Sequence, residues 1–272
     1  MDSGARQRKR FPLASLAWDA LLGRKKTILM KRIALATLGL FLFSQAAAAA
    51  PSWSVISFAT RQQDIPRILA AIDELMSTAT GKEFPGKLLL RAHAADGADP
   101  ATHSFVPIYK TAAQREAFVQ KLRADPAWKD FLEVFTELTQ PVSQVLYREV
   151  KSWGDIAGSD PVWVSHAFVV SDPAAFLAAF DELMASPTGK KFPGQVHLSH
   201  LSAGGITPVT HVVTVGYASE AEREAWLQTR SGSAAWAAYV EATNASSRLL
   251  GTSLFRTLGS WGPATLSDIV AP

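Results

Sequence analysis

Asp73-Glu74-Leu75-Met76, Thr80-Gly81-Lys82 and Phe84-Pro85-Gly86 return as Asp181-Glu182-Leu183-Met184, Thr188-Gly189-Lys190 and Phe192-Pro193-Gly194, each 108 residues further on. The same offset pairs His103 with His211, Tyr109 with Tyr217, Trp128 with Trp236 and Arg148 with Arg256. It also pairs Ser152-Trp153-Gly154 with Ser260-Trp261-Gly262. A repeat of this length, needing no gap from Asp64 onward, reads as the tandem duplication of a whole domain and not as a short-period solenoid. The expected units are residues 51–157 and 158–272.

Each unit carries the same run of element signals. Trp53 to Ala59 and Val162 to Val170 are apolar and partly β-branched, which reads as a strand. Ile68, Leu69, Ile72, Leu75 and Met76 recur at helical spacing, as do Phe176, Leu177, Phe180, Leu183 and Met184, with Asp64 and Asp172 as expected N-caps. Gly81 and Gly189 are expected to end that helix as C-caps, before a Phe-Pro-Gly turn. Lys87 to His93 and Thr102 to Tyr109 then read as a hairpin, matched by Gln195 to Leu201 and Thr210 to Tyr217. Thr111-x-x-Gln114 and Ser219-x-x-Glu222 open the next helix as capping boxes, and Asp125-Pro126 and Ser233 restart it. A last strand, Val145 to Val150 or Ser253 to Leu258, closes the unit.

Strand, helix, strand, strand, helix pair, strand is the split βαβ plan, with helices on one face of an antiparallel sheet. The other sheet face is also apolar and needs a cover, which a second unit can provide. The expected fold is therefore α+β: two ferredoxin-like βαββαβ repeats packed sheet to sheet as an intramolecular, pseudo-dimeric α/β barrel. The element order and the broken second helix, carrying Asp125-Pro126-Ala127-Trp128-Lys129-Asp130-Phe131-Leu132, resemble the dimeric α/β-barrel superfamily, in particular its antibiotic-biosynthesis-monooxygenase-like domains. The resemblance implies a pocket between sheet and helices in each half. It also implies a range of activities: cofactor-independent oxygenases, haem-degrading and haem-binding enzymes, and small-ligand isomerases. Fold analogy alone selects none of these.

The N-terminus has its own logic. Met30-Lys31-Arg32, an apolar stretch from Ile33 to Phe43, and the alanine run Ala46 to Ala50 read as a secretory signal peptide, with Met30 as the expected true start within a leader of residues 1–50. These residues hold nine of the 27 Lys/Arg and two of the 24 Asp/Glu, which leaves 18 basic and 22 acidic residues, a net charge of −4 on the rest. The basic balance thus belongs to the leader, and nucleic acid is not an expected partner. There is no cysteine, which excludes disulfides, thiolate metal sites and a cysteine nucleophile. The expectation is a periplasmic or secreted bacterial protein, with no membrane span after cleavage, that is monomeric with an internal pseudo-two-fold.

Candidate chemistry starts with His103 and His211, each following a threonine at the start of a strand. An imidazole there can act as acid, base or ligand; the alternative is a strand-end histidine bonded to the preceding loop. No metal is firmly expected, although His166, His197 and His211 lie on neighbouring strands of the second unit. His197 and His200, an odd number apart, point to opposite faces. Arg148 and Arg256 stand beside Tyr147 and Phe255 and are candidates for holding an anionic ligand group, or for pairing with a carboxylate on a neighbouring element. Tyr109 and Tyr217 complete the candidate ligand-binding set. Thr80-Gly81-Lys82 is no phosphate loop, since no Ser or Thr follows the lysine. No cofactor is firmly implied. The reading that follows is an exported protein binding a small apolar or aromatic ligand in its barrel. The alternatives are a cofactor-free or haem-associated, monooxygenase-like oxidoreductase, and a structural or interaction module of the cell envelope.

Overall fold

The computed structural model describes residues 50–156, 160–204 and 208–270. Residues 1–49 of the expected leader, Met30 among them, and the boundary expected near residue 157 lie outside the described residues. Among the described residues no helix is long and apolar enough to cross a membrane.

Strands β1 (Ser52–Thr60), β2 (Lys87–Ala95), β3 (His103–Tyr109) and β4 (Thr139–Gly154) alternate with helices α1 (Ile65–Ser77), the one-turn α2 (Ala79–Lys82), α3 (Ala112–Ala124) and α4 (Pro126–Leu138). The later residues repeat the order with β5 (Val162–Val170), α5 (Pro173–Ala185), β6 (Gln195–Ala203), β7 (His211–Tyr217), α6 (Glu220–Arg230), α7 (Ala234–Ser246) and β8 (Ser247–Trp261), then a short α8 (Leu266–Val270). The eight strands close into one antiparallel barrel in the order β1-β3-β2-β8-β5-β7-β6-β4, with β4 returning to β1.

Closure depends on the two longest strands. The first part of β4 pairs with β1 from Thr139 to Arg148, and its last part pairs with β6 from Leu146 to Gly154. In the same way β8 pairs first with β5 and then with β2. A four-stranded sheet standing alone would leave two edges of unpaired N–H and C=O groups, and these long strands remove both. A glycine with positive φ ends β4 (Gly154) and directly follows β8 (Gly262), a conformation that costs a residue without Cβ little. The expected last strands were shorter because they were read as belonging to a single sheet.

The strand overlap also brings the repeated motifs together. Trp153, near the end of β4, donates its indole N–H to Asp181 Oδ1 on α5 at 2.9 Å, and Trp261, near the end of β8, donates to Asp73 Oδ1 on α1 at 2.6 Å. The tryptophan of each Ser-Trp-Gly therefore clasps the aspartate of the Asp-Glu-Leu-Met in the other half.

The helices lie on the outer face of the barrel, and that layer is filled. Phe58, Ile65, Ile68, Ile72, Leu75, Leu90, Phe105, Phe131 and Leu138 form one buried cluster there; Val164, Phe176, Phe180, Val196, Leu198, Val213, Val215 and Trp226 belong to the other. Phe58 is fully buried, with Phe105 and Phe135 at centroid distances of 5.5 and 5.0 Å. Truncating such a ring to alanine costs about 3–5 kcal/mol. Local details depart from expectation at two places. Asp64 makes no side-chain cap and instead receives the Arg61 guanidinium at 2.7 Å. Gly81 and Gly189 are not left-handed caps but sit in separate turns, where Thr78 Oγ1 and Ser186 Oγ accept their N–H groups at 3.0 Å. A Cβ on either would run into the carbonyl oxygen of Leu75 or Leu183, so glycine is required by a close approach.

Candidate functional site

Because side chains alternate along a strand, each residue that faces the helices is flanked by residues that face the barrel axis. The inward set encloses a cavity of about 270 Å³ lined by Trp53, Val55, Leu89, Arg91, His93, Val106, Ile108, Tyr147, Trp163, His197, Thr214 and Phe255, among others. One end is plugged by α8: Leu266 and Val270 line the cavity, and Ile269, only 2 % exposed, packs in the cluster of Trp53, Leu89, Val106 and Ile108. Ser57 and Ser143, paired across β1 and β4, lie toward the opposite end, where the wall includes Asp99 and Ser143, both exposed. A second crevice of about 310 Å³, lined by Lys87, Asp160, Thr257, Ser260 and Thr265, shares Leu89, Trp163 and Leu266 with the lumen.

Two polar groups stand out on this largely apolar wall. His197 lies between Trp53 and Trp163, with ring centroids 6.4 and 6.1 Å away. Its Nε2 meets Gln195 Oε1 at 2.8 Å, its Nδ1 meets Glu149 Oε1 at 3.1 Å, and Gln195 Nε2 donates to Asp160 Oδ2 at 2.7 Å. The geometry assigns protons. A carboxylate only accepts, so the Gln195 amide nitrogen faces Asp160 and its oxygen faces His197, which must then carry hydrogen on Nε2. Nδ1 and Glu149 consequently share one proton. Burial pushes the Glu149 carboxyl above its ordinary range, against the bonds from His197 and Ser199 that pull it down.

Arg91 is the second. It is 6 % exposed, its guanidinium lies 4.6 Å from the centroid of Phe255, and its Nε is buried without a hydrogen-bond partner. Burial lowers its pKa to about 10, with only Tyr147 pulling upward; it stays charged at neutral pH. Two residues along the strand, His93 Nδ1 bonds Asp96 Oδ2 at 2.6 Å, while its Nε2 is buried and unpartnered.

The residues expected from sequence are distributed differently. His103 and His211 both point into the helix layer and bond the threonine before them, at 2.9 and 3.0 Å. His103 stacks on Phe58, and burial lowers its pKa to about 4. His211 faces His200 across the strand pair and lies near Phe176. His166, bonded to Thr252 Oγ1 at 2.9 Å, also faces outward, whereas His197 faces the lumen. The three histidines of the metal expectation therefore do not share a face, and no group of three His, Cys, Asp or Glu able to hold a metal ion occurs among the described residues. Tyr109 packs edge-on to Phe84, and Tyr217 packs edge-on to Phe192, both in the filled outer layer; burial raises each phenol to about 12. Arg148 is exposed, and Arg256 pairs with Glu220 at 3.2 Å. The implied pocket between sheet and helices is thus filled by side chains, and the space is inside the barrel.

Sequence reasoning passed over Arg91, Glu149, Trp163 and His197 as a set. A signal existed for Arg91, a charged residue between Leu90 and Ala92 in a strand whose preceding residues are three leucines; Glu149, flanked by Arg148 and followed two residues on by Lys151, carried none.

No family model and no curated protein matches this chain. Its structure is similar to that of a proposed monooxygenase from Fusobacterium nucleatum subsp. nucleatum, at a TM-score of 0.53 and 16 % identity, over 80 % of this chain and 96 % of that one. A proposed monooxygenase from Lactobacillus acidophilus scores 0.53 at 14 % identity, covering 80 % and 97 % of the two chains. An anthrone oxidase-like protein also scores 0.53 at 14 % identity, covering 84 % and 98 %. At such identities the likeness shows the fold alone, a ferredoxin-like α+β arrangement.

Proposed function

We propose that the barrel lumen binds a small molecule with an aromatic or largely apolar body. The observation that carries this reading is the lumen itself: a cavity of about 270 Å³ walled by Trp53, Trp163, Tyr147 and Phe255, into which a few polar groups project. That combination, concave, mostly apolar and sparsely polar, is the physical signature of a small-ligand site. We read the barrel as two duplicated ferredoxin-like units, an intramolecular counterpart of a homodimer, in a monomeric chain; the reciprocal tryptophan–aspartate clasps support this. We further read residues 1–50 as a leader that exports the protein to the periplasm or beyond, which N-terminal sequencing of the exported chain would check.

A second reading, a cofactor-free oxidoreductase of the monooxygenase-like kind, is favoured by the Glu149–His197 dyad. His197 of this buried pair lines the lumen beside two indoles, and an imidazole–carboxylate pair is a group able to exchange a proton with a bound aromatic substrate once one of its internal hydrogen bonds is given up. In this reading the acid/base group is His197 with Glu149, since His103 and His211 face the packed outer layer.

The test uses 2-naphthamide, a neutral aromatic probe, and the fluorescence of lumen-lining Trp53 and Trp163. Saturable quenching by the probe, abolished in Val55→Trp, whose added ring fills the lumen, is the expected result. Quenching that survives in a folded Val55→Trp protein would place the probe elsewhere and overturn the reading.

A further inference from the structure

Arg91 is a buried cation with no ion-pair partner among the described residues, Asp99 of the same wall included. Among the described residues it forms no ion pair and no hydrogen bond, its Nε is buried unsatisfied, and the face of Phe255 lies 4.6 Å from its guanidinium. Leaving a charge buried in this way is costly unless something neutralises it.

The duplication shows what is missing. By the 108-residue offset Arg91 corresponds to Ser199, and Glu149 corresponds to Thr257. Across the β6–β4 pair Ser199 stands opposite Glu149 and donates to its Oε2 at 3.5 Å. Across the β2–β8 pair Arg91 stands opposite Thr257, so the place from which a carboxylate could reach Arg91 is held by a neutral hydroxyl. Thr257 Oγ1 is itself buried and unpartnered. Glu149 is occupied by His197 and Ser199. Two further donors or acceptors in the lumen wall are unsatisfied, Trp163 Nε1 and His93 Nε2.

We propose that the lumen is a site for an aromatic or apolar acid, whose carboxylate or equivalent oxyanion binds the Arg91 guanidinium. This rests on the lumen-binding reading above and narrows it to a charge class. A guanidinium presents N–H donors in a plane that matches a carboxylate, and its charge makes those bonds stronger than neutral ones. The Phe255 face behind it holds the plane in place by a cation–π contact, while Trp53 and Tyr147 offer surface to the ring of the acid. The arrangement trades stability of the free protein for affinity, as binding sites commonly do.

The experiment compares 2-naphthoate with 2-naphthamide, two probes of the same shape and different charge, by calorimetry on the full chain at pH 7. The wild-type protein is expected to prefer the acid by about tenfold or more, the scale of one charge-assisted contact. Arg91→Met is expected to bind both equally while melting no lower than wild type, because a flexible apolar chain replaces an unpaired charge. Thr257→Glu, which supplies the internal carboxylate, is expected to lose the preference with Arg91 intact. Equal binding of the two probes by wild type, or a preference that persists in Arg91→Met, overturns the anion assignment and leaves the lumen reading standing. A marked fall in the melting temperature of Arg91→Met shows a structural role for the arginine and also overturns it. Binding of neither probe to wild type refutes the lumen reading itself.

Discussion

Glu149 provides the sharpest test of the proton arrangement inside the barrel. With Gln195 fixing a hydrogen on His197 Nε2, the bond across 3.1 Å to Glu149 Oε1 is made by one shared proton, and burial of Glu149 favours holding it on the carboxyl. A glutamine at 149 keeps the shape and offers an amide N–H to the same nitrogen, so Glu149→Gln is expected to cost less than about 1 kcal/mol, the net worth of one such bond. Glu149→Leu leaves His197 Nδ1 and the Ser199 hydroxyl buried without that partner, which costs about 2 kcal/mol or somewhat more. For a folded unit of this size that lowers the melting temperature by roughly 4–8 °C. The pH dependence has a definite sign. A carboxyl whose pKa is raised on folding stabilises the fold most below its unfolded value, near 4.5, and that stability is lost as pH rises through the folded value, at a slope of at most about 1.4 kcal/mol per pH unit. Urea unfolding of wild type and Glu149→Gln between pH 4 and pH 8 reads both quantities; the wild-type decline with pH should flatten in the variant. If Glu149→Gln is as damaging as Glu149→Leu at neutral pH, the dyad holds a full ion pair and the proton assignment is wrong.

The clasps between halves give unequal outcomes from equivalent positions. Trp261→Phe removes the sole indole bond to Asp73 and is expected to cost about 1 kcal/mol. Trp153→Phe is expected to cost less, because Lys151 Nζ still holds the same Asp181 oxygen at 2.6 Å; thermal melts of the two variants compare them directly. Lys151 and Trp153 hold the Asp181 carboxyl below its ordinary range against burial. Its contribution is therefore present at neutral pH and lost on acidification through the folded value, so the small penalty of Trp153→Phe should fade in acid.

Much of this fold was open to reading from the chain. The apolar stripes of α1 and α5, the capping threonine, aspartate and serines at 111, 125, 219 and 233, and the hairpin strands all follow from local periodicity and end chemistry, which depend on neighbours in sequence. The helix-facing contacts of His103, His211, Tyr109 and Tyr217 were harder. A strand residue has two faces to choose from, and with apolar side chains on both, alternation alone does not say which face meets a helix and which meets the lumen. The length of β4 and β8 was hidden for a related reason: Gln140, Ser143 and Gln144 are polar because they lie at an exposed stretch of a strand that serves two sheets. Arg91 was passed over in favour of Arg148 and Arg256 because those two are duplicated. Residues that recur at the 108-residue offset include those of the clasps, whereas the polar groups of the proposed lumen site stand where the offset pairs unlike residues, Arg91 with Ser199 and His197 with Leu89.

The claim on which the account rests is that the barrel interior, and not the layer beneath the helices, receives the ligand. A crystal structure of the protein grown with 2-naphthoate measures this directly. The account predicts a ring between Trp53, Tyr147 and Trp163 with its carboxylate on Arg91. A ring lodged instead beneath the helices, against Trp128 and Phe131 or against Phe176 and Tyr239, would contradict it.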